Sequence, residues 1–402
     1  MAKFSRSFVS AVECMVFVAI LYEPMRMALH SLKDAVGGVG GVGGLVNLGD
    51  PSSCSSLASK TENYCFVTGV FAGLTPMALI VLAAWTLPLL LAALSTGFTI
   101  RSPSQQPEPE EVADDGSSVR FSHDVFARVW AYIAALWFVV PFGAYIMDPF
   151  YRQSLAGVIL AVAIAAAFPC SWHLAFVAFP ISEAVSSWLG LPRSTVVAVH
   201  KTVGWGTVVW AAVHAGGEMV WLLKGGLWHF LKLSSPSDGE NMLYIFGIVT
   251  AVTMAAHAVL AYVRKQQWIQ PNFKIVHRVV ACLLLLFATT HWWPFALFLL
   301  PTAAAHGCIA GETLGAGQRP PSASWRCFAF AAALVAAFVG LAVVWTIRAQ
   351  VMQHEGIGLV LPFIFPPLAL LAEGGAATLT AFVCIWASPK PGSETLSPQL
   401  LG

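Results

Sequence analysis

Apolar runs of about twenty residues recur along almost the whole chain, and they constrain its fold more than any other feature. The hydrocarbon core of a bilayer is about 30 Å thick, so a helix crosses it in about 20 apolar residues. In lipid the backbone must satisfy its own hydrogen bonds, which a continuous helix does. Composition agrees: 57% of residues are hydrophobic and 10% charged, against about 25% charged in an ordinary soluble domain. The expected fold is all-α, a polytopic membrane helical bundle of about ten transmembrane helices, with nine as the alternative count. The net charge of +1 offers no basic patch for nucleic acid.

In chain order, spans are expected at residues 8–28, 67–95, 126–147, 154–180, 194–223, 242–263 and 273–294, and then at 327–347 and 358–387. The run after His291 continues through Pro294 and Pro301 to Ile309, too long for one crossing. A break near Trp293 and a returning span to about residue 312 give ten; leaving 295–325 as an outer loop gives nine. Polar stretches divide the chain into an N-terminal hairpin (1–100) with a Gly/Ser-rich loop, an acidic linker (101–125), a six-helix core (126–312), and a C-terminal pair with a short tail (313–402). Most of the eight cysteines sit in apolar runs without metal-ligand spacing, as inert small hydrophobes do. Cys54 and Cys65 fall in one polar loop and are disulfide candidates if it faces an oxidising compartment.

Lysines and arginines mark the cytoplasmic side of a multi-pass protein. With alternating spans, Arg101, Arg120, Arg128, Arg193, Lys201, Arg264, Lys265, Lys274 and Arg278 fall on one side, while Lys224 and Lys232 dissent. This orientation matters because of two histidine ladders. The segment VVAVHKTVGWGTVVWAAVHAGGEMV carries His200 and His214, and FKIVHRVVACLLLLFATTHWWPF carries His277 and His291, each pair fourteen residues apart. Fourteen residues of helix rise about 21 Å and return nearly to the same face. With one span between them, the two ladder helices run parallel, His200 and His277 at the cytoplasmic level and His214 and His291 at the far level. Two such helices side by side suit two stacked haems, each held by one histidine from each helix.

Histidine inside a bilayer is costly unless it is partnered, so ligation is the default role for the four. Gly204 and Thr207 lie near the His200 face and leave room for a flat ring, while Trp210 and Phe287 stand ten residues beyond the inner histidines, as aromatics between the levels or as ordinary core or lipid-facing aromatics. His173 and His257 also fall within spans; interior packing is the simpler role for both, and ligation or support of a ligand the other. Glu373 is an acid within the last span beside Gly374 and Gly375.

The segment SSWLGLPRSTVVAVHKTVGWGTVVWAAVHAGGEMV resembles the third helix of the ferric reductase and NADPH oxidase superfamily, and NFKIVHRVVACLLLLFATTHWW resembles its fifth. The resemblance spans roughly residues 126–312. It implies two b-type haems passing electrons across the membrane, His200 with His277 on the inner haem iron and His214 with His291 on the outer. Cytochrome b of quinol-oxidising complexes shares the H-x13-H spacing, but its Pro-Glu-Trp-Tyr signature is absent here.

The chain departs from that family in three ways. No His-Pro-Phe flavin signature or Gly-rich dinucleotide turn follows the core. FAD and NADPH are therefore expected only through a separate flavoprotein reductase, unless a small diffusible donor serves or the gene product is incomplete. The helix before the first ladder lacks the family's arginines, leaving Arg193, Lys201, Lys274 and Arg278 as candidates to hold haem propionates. Where the family's oxidases offer a histidine for dioxygen, this chain has Glu218. A carboxylate suits an incoming cation better than superoxide, which favours a ferric or cupric chelate as acceptor over dioxygen. The remaining expectations are an NADPH oxidase-like superoxide producer, a non-catalytic haem-carrying subunit, and a transporter with structural histidines.

Overall fold

The structure, a computed structural model, describes residues 13–27, 62–97, 123–180, 193–225, 239–315, 323–352 and 361–388. All its regular structure is helical: α1 (13–27), α2 (Glu62–Gly97), α3 (His123–Ile146), α4 (Pro149–Arg152), α5 (Leu155–Val177), α6 (Arg193–Gly225), α7 (Gly239–Tyr262), α8 (Phe273–His291), α9 (Phe295–Leu314), α10 (Ala323–Met352) and α11 (Leu361–Trp386). Nine of these helices are long and apolar enough to cross a membrane. The protein is an integral multi-pass membrane protein.

The break near Trp293 is real. α8 ends at His291 and α9 begins at Phe295, so residues 295–314 form a returning helix and not an outer loop. The turn is pinned by Trp293, whose ring centre lies 3.4 Å from that of Trp345 and 4.4 Å from the Arg348 guanidinium. A short helix that hydropathy does not reveal, α4, joins α3 to α5. Asp148 caps it by accepting from the Phe150 N–H, and Ser154 caps α5 by accepting from the Gly157 N–H at 3.1 Å, which satisfies amide groups that a helix start leaves open.

Small residues set the closest helix approaches. A Cβ on Gly217 of α6 would lie 2.6 Å from the Ala163 Cβ of α5, and one on Gly307 of α9 would lie 2.7 Å from the Ala377 backbone of α11. Lipid tails are as apolar as leucine, so membrane helices associate through packing of this kind. α5 packs most extensively on α6, α7 on α8, and α11 on both α9 and α10. α9 belongs more to the C-terminal helices than to α8. Arg326 of α10 lies 3.1 Å from Glu312 of α9. Glu373 is fully buried one turn before Ala377, and its Oε1 has no hydrogen-bond partner among the described residues.

The Gly-rich segment 37–44, Cys54, and most of the acidic linker lie outside the described residues. Cys65, expected in a loop, falls instead in the opening turns of α2; its side chain is outside the description.

Candidate haem-binding site

The two ladder helices are α6 and α8, and they pair in parallel register. The ring centres of His200 and His277 are 6.4 Å apart, and those of His214 and His291 are 6.0 Å apart. Two imidazoles on opposite sides of one metal ion have centres about 6.4 Å apart, from bonds of about 2 Å and ring centres about 1.2 Å beyond each nitrogen. Both levels match this separation. The helices carrying the rings hardly touch through their backbones, and α7 packs against both. Side chains therefore meet across a gap that small residues and a flat ring can share.

At the outer level, the Nδ1 of His214 lies 2.8 Å from the Ala163 carbonyl of α5. A carbonyl only accepts, so Nδ1 carries the proton and Nε2 presents its lone pair, as a metal ligand must. On α7, Gly247 leaves the space that His291 fills: a Cβ there would lie 2.9 Å from Cε1 and 3.1 Å from Nδ1. At the inner level the matching α5 residue is Val177, fourteen positions after Ala163 and beside Gly204, one turn beyond His200; the His200 Nδ1 is buried without a hydrogen-bond partner among the described residues. The antiparallel α5 thus places a residue at each histidine level with the ladder's own spacing. The inner level holds a third imidazole, His257 of α7, with its ring centre 4.3 Å from that of His277.

Several expectations about neighbours change. Thr207 is buried, donates to the Val203 carbonyl, and turns its own carbonyl to Cys170 of α5, so it serves helix packing. A Cβ on Gly204 would meet Val177 Cγ2 at 4.0 Å and nothing closer among the described residues, so this face keeps room. Trp210 lies against Phe138 of α3, ring centres 5.6 Å apart, and makes no ring contact with Phe287 among the described residues. Ten residues turn a helix about 80° short of full turns, which takes Trp210 off the histidine face. His173 is an interior histidine with both nitrogens satisfied. Its Nδ1 donates to the Pro169 carbonyl at 2.6 Å, and its Nε2 accepts from the Trp130 indole at 2.9 Å.

Arg193, Lys201, Lys274 and Arg278 are exposed at the His200 and His277 end of the bundle. Glu218 is half-buried and interacts electrostatically with Tyr145 and Tyr151. Burial, with the Asp148 and Glu218 carboxylates, pushes the Tyr151 hydroxyl up to about 12. Glu218 thus faces the α3–α4 corner at the His214 end. Ala163, Gly247 and Gly217 carried no readable signal: one acts through its backbone, and the glycines resemble any others in a membrane helix.

No curated protein and no solved structure matches the chain. The match to a known family begins within α5 and stops three residues before His291. Residues 160–288 match the family described as Ferric reductase like transmembrane component, so this part of the chain is similar to a ferric reductase-like transmembrane domain.

Proposed function

We propose that the chain transfers electrons across the membrane, from a cytoplasmic donor to a ferric or cupric chelate on the opposite side. The observation that carries this reading is the pair of imidazole couples, 6.4 and 6.0 Å between ring centres, one at each level of two parallel helices. His200 and His277 would hold an inner b-type haem and His214 and His291 an outer one; when bound, the haems supply one-electron redox chemistry. The chain contributes position and environment. The Ala163 carbonyl fixes the His214 tautomer, Gly247 gives His291 its space, and α7 packs against both ladder helices. Lys201, Lys274, Arg278 and Arg193 place positive charge where propionates or an anionic donor group would sit. Glu218 biases the outer end towards cations and against superoxide.

The donor in this reading is a separate flavoprotein reductase carrying FAD and NADPH, or a small diffusible reductant. The test is reduction of an external ferric chelate by proteoliposomes that hold the haem-loaded protein and enclose ascorbate. Ferrous chelate should appear outside, and His214→Ala should abolish it. Protein-dependent consumption of dioxygen with the chelate untouched would overturn the acceptor, and no reduction of any acceptor would overturn the reading.

A further inference from the structure

Metal-bound histidines almost always donate their second ring N–H to a carbonyl, carboxylate or water, which orients the ring and strengthens it as a ligand. His214 has such a partner in Ala163. His277 does not: its Nδ1 is buried without a hydrogen bond among the described residues. His257 faces it from α7, and the Nδ1 of His257 is likewise buried and unpaired. The two ring centres are 4.3 Å apart and tilted by 46°.

That separation is too short for two ligands on opposite sides of one metal ion, which stand about 6.4 Å apart. The described histidines, cysteines and acids also form no three-ligand metal group. The separation is also about 1 Å shorter than the roughly 5.3 Å between the centres of two imidazoles joined in plane by a hydrogen bond of about 2.9 Å. A turn about the broad terminal torsion of either histidine moves a ring centre far enough to make up that difference. One N–H donated to one bare nitrogen would satisfy two buried polar atoms together, each of which is costly to leave unpaired. At the outer level α7 presents Gly247, and no side chain, to His291.

We infer that His257 is a positioning residue of the inner site, accepting the Nδ1–H of His277 and thereby orienting and strengthening it as a ligand. The inference rests on the proposed bis-histidine reading. It makes α7 asymmetric: a hydrogen-bond acceptor at the inner level and a glycine packed under His291 at the outer one. A strengthened imidazole favours ferric over ferrous iron, so His257 holds the inner site at a lower potential than it would otherwise have.

The test is a potentiometric titration with haem quantification on the full-length wild type, His257→Leu and His257→Gln. Wild type should show two low-spin b-type sites. His257→Leu should weaken inner-haem retention about 10–100-fold and raise the inner midpoint by about a tenfold shift in the reduction equilibrium, ~59 mV for one electron. The outer site should titrate as before, which also reports a folded bundle. The Gln variant, whose amide oxygen can accept the same N–H, should return towards wild type and serves where the Leu variant fails to accumulate. Two haems with an unchanged inner midpoint in His257→Leu would overturn this role and leave the bis-histidine reading standing. An inner haem disturbed equally in His257→Gln would also overturn it, and a wild type without haem would overturn both.

Discussion

Replacing Gly247 with alanine adds one methyl group against the outer imidazole pair. The new carbon would stand 2.9 Å from His291 Cε1, 3.1 Å from Nδ1 and 3.5 Å from Nε2, whereas unstrained carbon contacts begin at about 3.5 Å. The ring or α7 must then yield by roughly half an ångström. Overpacking of this kind costs about 1–3 kcal/mol, and the gain in helix propensity returns at most about 1 kcal/mol. A net loss of about 1–2 kcal/mol concentrated on one ligand corresponds to roughly a 5–30-fold weaker outer haem. The inner level lies about 21 Å along the helix and should be untouched. The assay is haem titration followed by redox difference spectra, with Gly216→Ala as control, since a Cβ there meets nothing within 4 Å. Unchanged outer-haem affinity in Gly247→Ala, or loss of the inner haem instead, would refute the reasoning.

Other substitutions probe the frame around the site. Gly217→Val should disrupt the α5–α6 seam, because a Cβ there meets the Ala163 side chain at 2.6 Å and the Ile159 carbonyl at 3.2 Å; thermal unfolding should fall, with the outer haem lost first. Trp130→Phe removes the donor to His173 Nε2 and should cost about 1–3 kcal/mol of stability, read by thermal unfolding, while both haem spectra stay as in wild type. Arg326→Ala should loosen the Glu312 end of α9 and α10, seen as faster proteolysis there without a change in haem content.

Hydropathy made the helices legible because each crossing must fill the same thickness of lipid, and the run past His291 exceeded that thickness enough to reveal the break at Trp293. Hydropathy was silent on α4, a four-residue helix fixed by the Asp148 cap. The histidine pairing was legible from spacing, since fourteen residues return to nearly one face on both ladders. The supports of those histidines were not. Ala163 acts through a carbonyl, and Gly247 acts through the side chain it lacks. Of the two roles open to Trp210, the structure shows packing on Phe138, since ten residues is not a whole number of turns and turns it off the histidine face. His257 was visible in the sequence, but only the folded α7 brings it to His277.

The central claim is that four histidines form two ligand pairs, His200 with His277 and His214 with His291. Redox difference spectra of purified wild type and the four single His→Ala variants test it most directly. The account predicts two low-spin b-type haems in wild type, the same one lost from His200→Ala and His277→Ala, and the other lost from His214→Ala and His291→Ala. A colourless wild type, or losses that pair His200 with His291, would contradict it.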